Sequence, residues 1–343
     1  MTPVAAFERV MHCLDRAHAN GFKVKAFAGA METVRAMPAD ELRRRADAGT
    51  LQELPGVGDA SAKLISEAIA SEETGETPAY LSKLEAETRV VVAPNAQPYV
   101  DALKGDCHMH SKWSDGGATI ESMVHTAIEL GHEYLVLTDH SPRLTIAHGL
   151  NRARLEAQIA DIEVLRERVA PFRILTGMEV DIFEDGTLDL DDDMLAQLDV
   201  VVASVHSKLK MERRQMTERM VRAVASPHVD ILGHCTGRLV DKRPPSDFDP
   251  DYVFAACAAF GTAVEINSRV ERLDPPPELL AIALDHGCMF SIDSDAHATG
   301  QLEWLPYGCA IAADGDVPIE RIINTRPADD LLAWTAAPVG SKR

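Results

Sequence analysis

From about residue 104 onward, the chain alternates short strand-like segments with longer amphipathic helical ones. Apolar residues at three- and four-residue spacing mark the helical stretches between the strands. Strands joined by helices must run parallel, and so many consecutive units favour closure into a (β/α) barrel over a doubly wound open sheet, which is the alternative. The predicted strands are DCHMH, YLVLTDH, FRILTGMEVDIF, VVVASVH, VDILGH, TAVEINS and MFSIDSDAH.

The first 90 residues have a different texture. Their apolar residues recur at helical spacing, with little of the alternation expected of strands. The segment VVVAPNAQPYV that follows has two prolines and no helical period, which is typical of a linker. We therefore expect a small all-helical domain at 1–90, a linker at 91–103 and an α/β barrel domain at 104–343.

The first predicted strand holds an unusual concentration of polar side chains. Successive side chains of an extended strand point to opposite faces, so Asp106, His108 and His110 should share one face. Cys107 and Met109 should take the other face and pack there. The same alternation places Glu179 and Asp181 on one face of the third predicted strand. It likewise places Asp293, Asp295 and His297 on one face of the seventh.

Histidines recur where the predicted strands end. The carboxyl ends of barrel strands converge on one rim, where active sites are built. Imidazoles at that rim would meet carboxylates from the third and seventh strands, so the group is a stronger signal than any lone histidine. The six histidines at or near strand ends are His108, His110, His140, His206, His234 and His297, and the accompanying acids include Glu179 and Asp295.

Imidazole and carboxylate together suit Zn²⁺, Mn²⁺ or Fe²⁺ rather than Mg²⁺ or Ca²⁺. The number of candidate ligands exceeds what one ion can use. A cluster of two or three divalent metal ions is therefore the economical interpretation, and the usual chemistry of such a cluster is phosphate-ester hydrolysis.

Charge and hydropathy limit the choice of partner. The net charge is −20; residues 1–100 hold 11 Lys and Arg against 14 Asp and Glu, a net of −3, so −17 falls on the rest. That balance disfavours casual binding of nucleic acid, although bound cations would offset part of it. No apolar run is long enough to span a membrane, and the N-terminus has no signal-peptide core. We expect a cytoplasmic protein whose six scattered cysteines are reduced.

Several ordered motifs resemble those of the PHP (polymerase and histidinol phosphatase) family, over about 104–334. They are GDCHMHSKWSDGG with the following helix and TDHS, then GMEVDIFEDGTLDL, LDVVVASVHS, VDILGHCTGRL, VEINSRVERLD and SIDSDAH. They are most similar to the PHP domain of bacterial X-family DNA polymerases. The resemblance implies a distorted seven-stranded (β/α) barrel with a trinuclear metal centre, in which zinc, manganese or iron would be bound.

The resemblance also implies a role for each motif residue. His108, His110, Glu179 and Asp295 would hold the first metal, with Glu179 bridging. The second metal would lie between His206 and His234, and the third between Asp115, His140 and His297. A metal-bridging hydroxide held by Glu179 and the cluster would attack the phosphate. Asp115 stands where some members have histidine. Substrate phosphate would be bound by Arg238, Arg269 and Arg272, with structural salt bridges as the alternative.

The N-terminal domain resembles that of X-family polymerases. Its segment LQELPGVGDASAKLISEAI resembles a helix-hairpin-helix, whose turn (Gly56, Val57 and Gly58) would present backbone N–H groups to a DNA phosphate. A lysine acts as a lyase nucleophile in some members, but that position falls on Leu64, beside Lys63. The polymerase palm that should separate the two domains is missing, so we expect no DNA synthesis.

The sequence therefore predicts a metal-dependent phosphoesterase that hydrolyses phosphodiester bonds in DNA, as a 3′ to 5′ exonuclease or an end-processing enzyme in repair. One alternative is a small-molecule phosphatase of the histidinol-phosphatase type, which suits the negative charge better. A second alternative is a non-catalytic DNA-binding protein with structural metals. The expected partner is DNA or a small phosphate ester, and no membrane.

Overall fold

The structure, a computed structural model, describes residues 1–342 and divides into two compact units. The first unit comprises Met1–Val91 with Thr299–Gln301, and the second comprises Val92–Ala298 with residues 302–342. The first unit is helical, with a 3₁₀ turn at Leu51–Glu53. Its helices are α1 (Pro3–Arg16), α2 (Gly21–Arg35), α3 (Ala39–Asp47), α4 (Asp59–Thr74) and α5 (Ala79–Thr88).

The helical unit has its own apolar core. Helix α1 begins where the Thr2 side chain accepts a hydrogen bond from the backbone N–H of Ala5, at 3.2 Å, with proline in its first turn. Phe7 on α1 and Leu64 and Ile65 on α4 are completely buried in this core. The unit is therefore held by interlocking helices rather than by a sheet.

The second unit contains seven strands separated by helices. Its strands are β1 (Gly105–Met109), β2 (Tyr134–Leu137), β3 (Arg173–Asp181), β4 (Val200–Ser204), β5 (Ile231–Leu232), β6 (Ala263–Asn267) and β7 (Phe290–Asp293). Its helices are α6 (Gln97–Ala102), α7 (Ile120–Glu129), α8 (Arg152–Val169), α9 (Asp192–Leu195), α10 (Arg213–Val224), α11 (Pro250–Phe260), α12 (Pro277–Asp285), α13 (Leu305–Asp314) and α14 (Ala328–Thr335).

The seven strands form one parallel sheet whose spatial order follows the chain, β1 to β7. Two backbone hydrogen bonds join its ends just beyond β7. The N–H of Asp295 donates to the carbonyl of His108 at 2.9 Å, and that of His110 donates to the carbonyl of Ala296 at 2.8 Å. The prediction of a seven-stranded (β/α) barrel, preceded by a small helical domain, is confirmed.

The side-chain alternation predicted for β1 is wrong for its apolar residues. Cys107 packs with Val136 and Val202, whereas Met109 lies in a separate apolar cluster with Leu137. The pairing of β1 with β2 shifts register between Asp106 and Met109, and such a bulge interrupts the strict period of two. Both faces of β1 are buried, so no solvent face enforces the alternation.

The segment predicted as a linker, 91–103, is more ordered than its prolines indicate. It contains α6, and all of it after Val91 belongs to the second unit. Ala96 is completely buried, and the Tyr99 hydroxyl donates to the carbonyl of Val317 at 2.8 Å. The unit that holds the barrel therefore begins about a dozen residues earlier than the predicted barrel domain.

The six cysteines are buried and none forms a disulfide, and burial raises the pKa of each thiol. Within residues 1–342, no helix combines the length and apolar character that a membrane crossing requires.

Candidate metal centre

The nine side chains predicted to bind metal meet at the carboxyl-terminal end of the barrel strands. His108 and Glu179 lie within strands β1 and β3, and the other seven lie in segments that follow β1, β2, β4, β5 and β7. Space before His234 is limited: a Cβ on Gly233 would lie 2.3 Å from the Ser204 hydroxyl oxygen and 2.8 Å from a methyl carbon of Val202, so a larger residue there would displace these side chains. That these nine side chains bind metal remains a prediction.

Glu179 is the centre of the arrangement. One of its oxygens, Oε1, lies 2.9 Å from His234 Nε2 and 3.2 Å from His206 Nε2. The other, Oε2, lies 2.9 Å from Nδ1 of His140, 3.4 Å from Nε2 of His108 and 3.6 Å from Nε2 of His110. A single buried carboxylate therefore contacts five imidazoles from four different strands or the loops after them.

Asp115 forms the outer part of the site. Its Oδ1 lies 3.5 Å from Nε2 of both His140 and His297. Asp295 connects this part to the inner one, because its Oδ1 is 3.5 Å from His110 Nε2. The side chains of Asp115 and His297 are 33% and 17% exposed, whereas that of Glu179 is 1% exposed. The site therefore opens to solvent on the side of Asp115 and His297.

Three groups of side chains bring their potential ligand atoms within 4.8 Å of one another in the described residues. His110 and His140 each belong to two groups, so the groups are contiguous. The groups are His110, Asp115, His140 and His297; His108, His110 and Asp295; and His140, Glu179 and His206. The first group matches in part the ligands predicted for the third metal, and the second group matches in part those predicted for the first. His234 belongs to none of the three groups but contacts Glu179.

Unsatisfied polar atoms show that these residues fit a metal cluster. Buried nitrogen and oxygen atoms in native proteins nearly always have a hydrogen-bond partner. Here both ring nitrogens of His206 and Oε2 of Glu179 are buried and make no hydrogen bond, although they lie close to other predicted ligands. Nδ1 of His110 and Nδ1 of His234 also lack partners. Imidazole nitrogens and carboxylate oxygens are the donors that Zn²⁺, Mn²⁺ and Fe²⁺ use together.

The pKa values in the cluster are strongly shifted by burial and by mutual contact. Burial alone would raise the pKa of Glu179, but His206, His108 and His140 hold it well below its ordinary range. Burial would lower the pKa of His206, yet Glu179 and Asp181 raise it to about 9. The pKa of His110 is well below normal because of burial and two neighbouring imidazoles. The carboxylate of Glu179 is thus ionised, while the shifted pKa values favour the protonated form of His206 and the neutral form of His110.

Buried acids that the sequence analysis did not assign a role orient the site. Asp139 accepts hydrogen bonds from the backbone N–H groups of Ser111 and Ser114, at 2.8 and 3.1 Å, and so holds the turn that leads to Asp115. Asp181 accepts the backbone N–H of His206 at 3.1 Å. A carboxylate inside a predicted buried strand is costly without partners, which is the sequence signal that could have identified Asp181 and Glu265.

The three arginines predicted to bind phosphate differ in their contacts. The guanidinium of Arg238 donates to the backbone carbonyls of Arg272 and Leu273 and so stabilises the loop that follows β6. Arg272 Nε donates to Asp295 Oδ2 at 2.9 Å, while its Nη1 is buried without a hydrogen-bond partner. Arg269 Nη1 lies 3.4 Å from Asp295 Oδ1. Only Arg269 and Arg272 therefore contact the predicted metal cluster.

The hairpin turn of the first unit has the expected backbone shape. Gly56 is in the left-handed region with φ +76°, and α4 begins directly after Gly58. Gly56 and Gly58 are exposed, whereas the side chain of Val57 is buried. Asp59, the first residue of α4, places an acid beside this turn. Leu64 is completely buried and Lys63 is 63% exposed with its Nζ 3.7 Å from Glu67.

Comparison with known proteins gives a family match within the second unit. The family described as "PHP domain" matches residues 106–267. The DNA polymerase/3′-5′ exonuclease PolX of Bacillus subtilis is 39% identical over 232 residues, which is 68% of this chain and 41% of that protein. The chain thus spans less than half the length of this relative.

Other relatives are shorter. A probable phosphatase of Thermoanaerobacter is 27% identical over 232 residues, covering 64% of this chain and 89% of that protein. Among solved structures, the histidinol phosphate phosphatase of Lactococcus lactis, in complex with zinc, L-histidinol and phosphate, aligns with a TM-score of 0.44 and 19% identity, over 61% of this chain and 92% of that chain.

Proposed function

We propose that this chain, which carries a PHP domain at residues 106–267, is a metal-dependent phosphoester hydrolase that cleaves phosphodiester bonds in DNA. The proposed activity is that of a 3′ to 5′ exonuclease or end-processing enzyme. The observation that supports it most is the convergence of five imidazoles on the buried carboxylate of Glu179. Such a set of ligands holds more than one divalent cation.

The residues of the chain have distinct parts in this proposal. The inner set around Glu179 and the outer set around Asp115 would hold the cations. When bound, divalent cations supply a Lewis acid and lower the pKa of coordinated water. Arg272 has a buried Nη1 donor without a partner, next to Asp295, and would donate it to a phosphate oxygen of the substrate. Arg269, on the more exposed side, would hold a second phosphate oxygen.

Two features support DNA as the substrate. The first unit presents an exposed glycine turn followed by the start of α4, where unpaired backbone N–H groups favour a phosphate. Lys112 is exposed and lies three residues before Asp115 in the chain. The Bacillus subtilis relative is named as both a polymerase and a 3′-5′ exonuclease. The proposed activity is the exonuclease part of that name.

A small phosphate ester is the second candidate. It is favoured by the net charge of −17 on residues 101–343, which repels a long polyanion. The match to most of the length of a protein named as a probable phosphatase points the same way. Asp59 beside the hairpin turn would also oppose a DNA phosphate.

Parallel assays with the two classes of substrate decide between these candidates. Purified protein with Mn²⁺ is given an oligonucleotide labelled at its 5′ end and, in parallel, histidinol phosphate and nucleoside monophosphates. Progressive shortening from the 3′ end, lost in the Glu179→Gln variant, supports the proposal. Rapid turnover of a monoester with the oligonucleotide left intact would refute DNA as the substrate, and inactivity toward all of them would refute the hydrolase itself.

A further inference from the structure

Strand β6 contributes none of the nine side chains predicted to bind metal, yet two of its side chains lie among them. Glu265 and Asn267 are both completely buried. They are two positions apart on the strand, so they share a face. An ionised carboxylate at such a position is unfavourable unless it is paired or hydrogen-bonded, and the contacts of Glu265 show where its partners lie.

Glu265 contacts two of the predicted ligands at once. Its Oε1 lies 2.6 Å from Nδ1 of His108, the shortest imidazole–carboxylate contact of the site. Its Oε2 accepts the backbone N–H of His234. The carboxylate therefore joins the side chain of a residue on β1 to the backbone of the segment after β5.

Asn267 extends the same network to a third ligand. Its Nδ2 lies 3.2 Å from Oε2 of Glu265 and 3.2 Å from Oδ2 of Asp295. Its Oδ1 accepts the backbone N–H of Arg269 at 3.0 Å. The two β6 side chains thus contact ligands that come from β1, from beyond β5 and from beyond β7.

The contact with Glu265 determines which nitrogen of His108 faces the cluster. With Nδ1 directed at Glu265, Nε2 lies 3.4 Å from Glu179 Oε2 and 3.3 Å from His110 Nε2. Glu265 itself belongs to none of the three groups of potential ligand atoms in the described residues. Carboxylates that bind the far nitrogen of a metal-ligating histidine fix its orientation and make it a better ligand.

We infer that Glu265 and Asn267 are positioning residues, which hold His108, His234 and Asp295 in the geometry that binds metal. This inference rests on the metal centre of the proposed function but not on the identity of its substrate. It assigns β6 the role of aligning ligands from three other parts of the barrel. A purely structural role would instead join β6 to its neighbours without any effect on metal affinity.

Glu265→Gln separates the two roles. The isosteric amide has one oxygen and one NH₂ group, so it cannot accept from both His108 and the backbone N–H of His234. We expect the Mn²⁺ affinity, measured by calorimetric titration of chelator-treated protein, to fall by about 10- to 100-fold. The matched control is Asp230→Asn, which also neutralises a buried barrel carboxylate, one that bonds Lys342 and the N–H of Val201. The control should retain the wild-type affinity for Mn²⁺.

Thermal unfolding of the metal-free proteins completes the test. Glu265→Gln should unfold no earlier than the control, so that its loss of affinity is not a loss of fold. An affinity for Mn²⁺ within about 2-fold of the wild type would overturn the inference, as would an equal loss in the control. Should Glu265→Gln fail to fold, Asn267→Ser provides the same comparison, with an expected loss of affinity and the same contrary result. Because the titration needs no substrate, an inactive wild type that binds Mn²⁺ would refute the proposed function alone.

Discussion

The two units of the molecule differ in how far they bury charged side chains. In the helical unit the ion pairs lie at the surface, as between Arg35 and Glu32, whose side chains are 47% and 66% exposed. In the barrel unit Glu179 and Asp295 are almost completely buried. Surface pairs contribute little to stability, whereas buried charges are expensive unless they are compensated. A buried charge cluster therefore indicates function far more strongly than a surface one.

The largest expected effect is on the chemistry of the barrel unit. Glu179→Gln removes the charge that five imidazoles surround, and metal-ion catalysis contributes several kcal/mol. We expect phosphoesterase activity to fall by at least ~100-fold in an assay with a generic chromogenic phosphodiester. Circular dichroism should show an unchanged fold. Retention of more than half of the activity would mean that Glu179 does not organise the site.

The next effect contrasts a buried ion pair with a surface one. Lys342 Nζ lies 2.7 Å from Asp230 Oδ1, and both side chains are buried. Lys342→Met leaves that carboxylate without its counter-charge, and we expect a loss of about 3 kcal/mol in unfolding free energy. Arg35→Gln in the helical unit should cost less than ~1 kcal/mol. Chemical denaturation measures both, and similar values would remove the distinction drawn between the units.

A pH effect should also arise in the barrel unit. The pKa of His206 is raised from 6.5 to about 9, because Glu179 and Asp181 outweigh its burial. Protonated His206 therefore stabilises the metal-free fold fully below pH 6.5, and this contribution is lost as the pH rises through about 9. Its upper limit is about 3 kcal/mol. Between pH 6 and pH 9.5, the unfolding temperature of the chelator-treated wild type should fall more steeply than that of the chelator-treated His206→Gln variant.

The smallest expected effect concerns the helical unit. If the hairpin turn binds a DNA phosphate, the carboxylate of Asp59 repels it, and two like charges in water interact by about 1 kcal/mol or less. Asp59→Asn should therefore strengthen oligonucleotide binding by at most about 5-fold. Fluorescence anisotropy at low salt measures this change. Unchanged or weaker binding would argue against a role for this turn, while hydrolysis of a generic phosphodiester should stay the same.

The same contrast explains what the sequence could predict. The histidines at strand ends predicted a convergence of imidazoles and carboxylates at the rim, because barrel topology brings strand ends together whatever the details of packing. The bulge in β1 could not be predicted, since it depends on the pairing with β2. The partners of Arg238 and Glu265 could not be predicted either, because these contacts join residues 34 and 157 positions apart in the chain. Residue identity predicted which side chains gather at the rim, and only the tertiary structure revealed the other residues that contact them.

Metal stoichiometry tests the central claim most directly, namely that side chains distant in sequence jointly hold several cations. Wild-type protein and Glu179→Gln are equilibrated with Mn²⁺ or Zn²⁺, desalted and analysed by mass spectrometry for metal per chain. We predict two or three ions per wild-type chain and a lower number in the variant. One ion or fewer per wild-type chain, at saturating metal and with the protein folded, would contradict the account.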